Sequence, residues 1–180
     1  MTPDMTPMTH TKKSFLAILI ALGIVLVPTL DSDAKTKKRS RWTTDPLLGA
    51  IVEHESHGQP NVVGGRDGQC IGLTQICLHG FPACASGFDT PECLAVKERL
   101  LDPTENLRVA RGQLQAWKKL CRRVVGHADV RGIVFGFAGA DGRGIHCGMK
   151  QGKHGWVPAK TPKAVREILD LYERNLRGAR

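Results

Sequence analysis

Cys70, Cys77, Cys84, Cys93, Cys121 and Cys147 form an even set, and all six follow a stretch that reads as an export leader. In that stretch Lys12-Lys13 precede an apolar run from Phe15 to Val27, Pro28 breaks it, and Ser32-Asp33-Ala34 puts small residues where a signal peptidase cuts. The run is shorter than the roughly 20 apolar residues a bilayer span needs, so cleavage after Ala34 is expected, with an uncleaved signal anchor as the alternative. Cysteines delivered to an oxidising compartment are expected to pair, which restricts the chain to a fold with disulfide-stabilised loops. No C-x-x-C pair occurs and the spacings match no zinc pattern, so neither a metal nor another cofactor is expected. Sequence alone does not choose among the possible pairings.

Beyond a signal peptide at 1–34, a basic flexible arm is expected at 35–44, where "KTKKRSR" is most simply a solvated segment. Residues 45–180 suit a single domain with its own core. The leader carries two lysines against three aspartates, so its removal raises the net charge from +9 to +10. That charge favours an anionic partner such as a cell-wall polymer or a membrane surface, and export makes nucleic acid the least suitable.

The apolar spacing is mainly helical. "TTDPLLGAIVEHES" starts as a helix should, with Asp45 as cap and Pro46 in the first turn, and Gly58 with Pro60 ends it. From Thr104 to Val125, Leu107, Ala110, Leu114, Trp117, Cys121 and Val124 fall at steps of three and four, a long core helix opened by Asp102-Pro103. Pro162 to Leu176 repeats the period with Val165, Ile168, Leu169 and Tyr172. "DVRGIVFGFAGADGRG" begins as a helix and dissolves into glycines, "NVVGGRDGQCIG" reads as a loop or irregular hairpin, and Phe81 to Cys93 reads as a disulfide-held loop. The fold class expected is therefore α+β and predominantly α-helical, with little strand.

One side chain interrupts this pattern. Leu48, Ile51, Val52 and Glu55 are related by i, i+3, i+4 and i+7, so Glu55 continues the apolar stripe of the first helix, whereas Glu53 belongs to the solvated face. A carboxyl group at the end of an apolar face loses hydration, which disfavours its charged form and raises its pKa toward the range of a general acid. His54 and His57 are three residues apart in "HESH", not the four of a metalloprotease pair, and are expected on the surface or the rim of a cleft.

Four segments in order carry a resemblance. "ESHGQPNVV" resembles E-S-x-F-x-P-x-A-V, "GLTQI" resembles G-L-M-Q-I, "DPTENLRVARGQL" is similar to D-P-x-x-N-I-x-x-G-x-x-Y-L, and "FAGADGR" is similar to Y-N-A-G-P-G-R. These are motifs of the soluble lytic transglycosylase domain of the lysozyme-like superfamily, and here they extend over about residues 45 to 176. The resemblance implies a lysozyme-like single domain with a glycan groove that cleaves the MurNAc-GlcNAc β-1,4 bond of peptidoglycan to leave 1,6-anhydroMurNAc. It implies Glu55 as acid and then base, and Ser56, Leu73, Gln75, Phe137 and Tyr172 as substrate-binding residues. It also implies peptidoglycan glycan strands as partner, a periplasmic or secreted location, and by analogy an envelope-spanning secretion or conjugation apparatus. Several positions depart from the motifs: Gly64 stands in place of serine, two additional residues precede Gly72, Thr74 replaces methionine, and Phe137-Ala138 replaces Tyr-Asn. The alternatives are a hydrolytic muramidase with Asp67 of the glycine-rich loop as second carboxylate, and a catalytically weak glycan-binding protein.

Overall fold

The structure, a computed structural model, describes residues 41–142 and 144–179. The expected leader and most of the expected arm lie outside these residues. The described residues form five α-helices, α1 (Pro46–Ser56), α2 (Pro91–Leu101), α3 (Pro103–Val125), α4 (Val130–Phe137) and α5 (Lys163–Arg177), and two small antiparallel sheets. One sheet joins β1 (Val63–Gly64), β2 (Cys70–Ile71) and β3 (Ile76–Cys77) in that order; the other joins β4 (Ile145–His146), β5 (Met149–Gly152) and β6 (Gly155–Pro158). This is the predominantly helical α+β, lysozyme-like domain that the periodicity and the motifs indicated. Among the described residues no helix is long and apolar enough to cross a membrane.

Local chemistry sets the helix ends. Asp45 Oδ1 accepts hydrogen bonds from the amides of Leu47 and Leu48 at 2.9 and 3.1 Å, satisfying donors that the first turn leaves unpaired. At the other end of α1, His57 takes a left-handed conformation (φ 52°) and its amide closes back on Glu53 O. Asp102 caps α3 through the amide of Glu105 at 2.8 Å, with Pro103 at the first helical position and left-handed Gly126 after the last.

The core contains Leu48, Ile51 and Val52 of α1, Ile71, Leu73 and Ile76 of the first sheet and its turn, Leu100 of α2, Val134 and Phe135 of α4, and Val165 and Ile168 of α5. Burying each such side chain contributes about 1.5–3 kcal/mol relative to leaving it in water. The most extensive helix pairing is that of α1 with α5. All six cysteines are paired: Cys70–Cys77 across adjacent strands, Cys84–Cys93 at the start of α2, and Cys121–Cys147 between α3 and the turn after β4.

Three local expectations need correction. The loop expected from Phe81 to Cys93 ends earlier, because Thr90 caps a helix by accepting from Cys93 N and Pro91 opens it; Cys93, Val96 and Leu100 then bury one face. The strands β4 to β6 were not anticipated. Trp42, placed by its sequence position in the basic arm, packs against the core and donates its indole N–H to Gly58 O at 2.8 Å, so the folded domain includes it.

Candidate active-site cleft

A cleft of about 560 Å³ opens beside the end of α1. Glu55 lies on one side, Thr74, Gln75, Ile76 and the Cys70–Cys77 bridge form one wall, and Gln113, Ala116 and Trp117 of α3 with Gly136, Phe137 and Ala138 at the end of α4 form the other.

Glu55 is the half-buried member of its pair, with a quarter of its side chain exposed, while Glu53 is exposed. Burial raises its pKa above the ordinary carboxylate range; His54, whose Nε2 lies 4.0 Å from Glu55 Oε1, opposes that rise. The other nitrogen of His54 lies 3.9 Å from Glu167 Oε2 on α5, so this imidazole is set between two carboxylates at the α1–α5 contact. Among the described residues, Glu55 is the only carboxylate that lines the cleft. Asp67 is exposed on a short 3-10 turn in the connection from β1 to β2, has a left-handed conformation (φ 60°), and does not line it.

The wall that carries Gln75 is held from behind by α3. Asn106, fully buried, accepts from the amide and hydroxyl of Thr74 at 2.9 and 2.7 Å and donates to Ile71 O and Leu100 O at 2.8 and 3.0 Å. All its polar valence is thereby used, which is the condition under which a buried amide stabilises rather than costs. The close approach requires glycine at 72: its φ is +78°, and a Cβ there would run into Asn106 Nδ2. Thr74, in place of the methionine of the motif, therefore adds a hydroxyl to this cluster.

Gln75 has φ +49° and donates Nε2 to Val62 O and Gly72 O at 3.1 and 2.9 Å. Its Oε1 occupies the space that a Cβ on residue 64 would fill, so glycine at 64 and the pose of Gln75 depend on each other. On the opposite wall, a Cβ on Gly136 would collide with the indole of Trp117. The indole of Trp117 therefore packs directly against the backbone of α4 at Gly136.

Of the residues singled out from sequence, Glu55, Gln75 and Phe137 come together around the cleft. Ser56, Leu73 and Tyr172 do not line it. Ser56 is buried and its hydroxyl donates to Leu73 O at 2.8 Å, tying the end of α1 to the turn before Gln75. Leu73 is wholly buried, and Tyr172 packs against the core from α5. Ser56 and Leu73 thus join α1 to the turn that carries Gln75, while Tyr172 belongs to the core packing. Sequence reasoning missed His79, Gln113 and Ala116 as cleft residues and assigned Trp117 to the core alone. A signal for Gln113 existed, since it occupies the tyrosine position of G-x-x-Y-L, counted from Ala110. His79 and Ala116 belong to no motif.

Comparison with curated proteins and with solved structures found no match. The family model of the transglycosylase SLT domain matches residues 33–140, more than half of the chain and every residue that lines the cleft. With a lysozyme-like fold and a single half-buried glutamate in the cleft, the chain belongs to the SLT transglycosylase domain family, whose members act on peptidoglycan.

Proposed function

We propose that this domain is a peptidoglycan lytic transglycosylase that cleaves the MurNAc-GlcNAc β-1,4 bond with Glu55 as acid and base. The protonated carboxyl of Glu55 gives its proton to the glycosidic oxygen as the bond to the MurNAc anomeric carbon breaks. The C6 hydroxyl of the same MurNAc then attacks that carbon and Glu55 takes its proton, leaving a 1,6-anhydro ring and a regenerated acid. No water is consumed.

The observation that carries this reading is the solitary carboxyl. Hydrolytic glycosidases commonly place two carboxylates within about 10 Å across the bond, one as acid and one as nucleophile or base. Among the described residues no second carboxylate lines the cleft with Glu55, and an intramolecular hydroxyl needs none. Burial keeps Glu55 protonated to a higher pH than an exposed carboxyl, as the first step requires. Gln75 faces the cleft and is held by two carbonyls, suiting it to orient the strand, with Phe137 and Trp117 giving the sugar rings an apolar face. The reaction belongs in the cell envelope, to which a leader at 1–34 would deliver the protein.

Digestion of purified peptidoglycan by the oxidised protein, with Glu55→Gln beside it, tests the reading by mass spectrometry of the released muropeptides. Products one water lighter than those of a muramidase, absent with the variant, are expected. Reducing-end products would replace the lyase by a hydrolase and direct mutation to Asp67. Binding without products would support a glycan-binding role, for which the apolar Phe137-Ala138 pair at the cleft is the favouring observation.

A further inference from the structure

The α3 helix presents a second surface. Between Asn106 and Ala128 the chain has no aspartate or glutamate, but it has Arg108, Arg111, Lys118, Lys119, Arg122 and Arg123, all exposed. On a helix advancing about 100° per residue these six cations fall within an arc of about 140°. Arg108 is paired with Glu105 and Arg111 approaches the hydroxyl of Thr43. Lys118, Lys119, Arg122 and Arg123 make no ion pair with the described residues.

Their position relative to the cleft is fixed by the helix itself. Gly112, Ala116, Lys119 and Arg123 follow one another at i, i+4, i+7 and i+11, a single row on one face, and Ala116 of that row lines the cleft. Lys119 and Arg123 thus stand about 4.5 and 10.5 Å further along the axis than Ala116. The end of α3 that bears them is fastened by the Cys121–Cys147 disulfide, so the row keeps its alignment with the cleft wall. Favourable interaction with the helix dipole accounts for basic residues in the last turn, Arg122 and Arg123, but not for Lys118 and Lys119 before it.

We propose that Lys119 and Arg123 form a cationic lip of the cleft that binds carboxylates on the peptides attached to the glycan strand. The inference rests on the reading of the cleft as a peptidoglycan site and adds to it that the peptide-bearing polymer, rather than bare glycan, is the ligand. Charge complementarity selects an acidic partner, and continuity of the lip with the cleft wall selects one joined to the polymer inside. An anionic membrane would compete with that polymer for the rim.

The test uses Glu55→Gln protein, which leaves the wall intact, in co-sedimentation with sacculi and with sacculi whose carboxylates have been converted to amides. Amidation is expected to weaken binding about tenfold, and Lys119→Gln/Arg123→Gln to weaken binding to untreated sacculi by a similar factor. The two changes together should cost little more than either, because they remove opposite halves of the same contacts. Arg108→Gln/Arg111→Gln, at the far end of the helix, serves as the control for net charge. Equal losses in the two double variants, or additive losses with amidation, would overturn the lip, as would loss of binding to phosphatidylglycerol vesicles in place of sacculi. Sacculus binding that follows the expected pattern while the native protein releases no muropeptide would uphold the lip and remove only the catalytic reading. Absence of all sacculus binding would remove both.

Discussion

The segment up to Ala140 and the segment from Asp141 onward differ in what they contribute. The first matches the family model and supplies every side chain that lines the cleft; the second, with β4 to β6 and α5, lies beyond the match and supplies none. Yet α5 is the principal partner of α1, the helix that carries Glu55. The later segment is fastened by Cys121–Cys147 and by Arg131, which donates to Gly148 O, Ala159 O and the Thr161 hydroxyl and stacks on Phe135. Chemistry constrains residue identity at particular positions, whereas support needs only apolar volume and a few fasteners. Motifs therefore crowd into the first segment and thin out in the second.

The sharpest break between chemistry and support is Glu55→Gln. A loss of about 10³-fold in muropeptide release is expected, in the range for removal of a general acid, with the fold intact. Asn106→Ala should do the reverse within the same segment. It strands the Thr74 amide and the Ile71 and Leu100 carbonyls, at about 1–3 kcal/mol for each group left unsatisfied, so a loss of about 4 kcal/mol is expected in denaturant titration. Activity of the folded fraction should fall far less than with Glu55→Gln, because the wall loses a support and the acid stays in place.

The disulfides order the segments by chain entropy. Replacing Cys121 and Cys147 by serine opens a closure of 26 residues, worth about 3.5 kcal/mol in the loop-entropy model, against about 2.6 kcal/mol for the separation of 9 between Cys84 and Cys93. Denaturant midpoints of the two double variants test the ordering. If Cys84–Cys93 proves the costlier, the later segment is held by packing and Arg131 more than by its cross-link.

The pH dependence of stability separates the two roles of α1. The folded-state pKa of Glu55 lies above its unfolded value, so the folded protein binds the extra proton between the two and is penalised once Glu55 ionises. Below the unfolded pKa of about 4.3 both states are protonated and the penalty is absent. Glu55→Gln should therefore raise the melting temperature at neutral pH, and the gain should vanish as pH falls below that value. A constant difference across pH would mean that the carboxylate is fully hydrated in the folded protein.

How much of this was legible follows the same division. Asp45-Pro46, Asp102-Pro103 and the apolar steps of α1, α3 and α5 determined those helices because their caps and periods lie within a few residues of each other. The start of α2 also bore its signal, Thr90-Pro91, but the neighbouring prolines and cysteines read more strongly as a loop. The strands from β4 to β6 pair with their neighbours in sequence, but they are two to four residues long and have no apolar alternation, so no periodic pattern announced them. In the site, helical period distinguished Glu55 from Glu53. It could not show that Ser56 and Leu73 face inward as supports, because that depends on the turn at 72–75 folding back against Asn106.

The smallest expected effect probes that turn. Gly64 has no positive φ, so alanine there meets no backbone objection, but its Cβ would take the place of Gln75 Oε1. Gly64→Ala should swing the amide of Gln75 from Val62 O and Gly72 O, lowering activity by about tenfold at nearly unchanged stability, since only neutral hydrogen bonds worth about 1 kcal/mol each are exchanged for water. Gln75→Ala should cost a similar factor by itself. In the Gln75→Ala background Gly64→Ala should cost nothing further, because the side chain it displaces is gone. Additive losses would mean that residue 64 meets the strand directly. In that case the departure from serine at this position would be a change in the groove rather than an accommodation behind it.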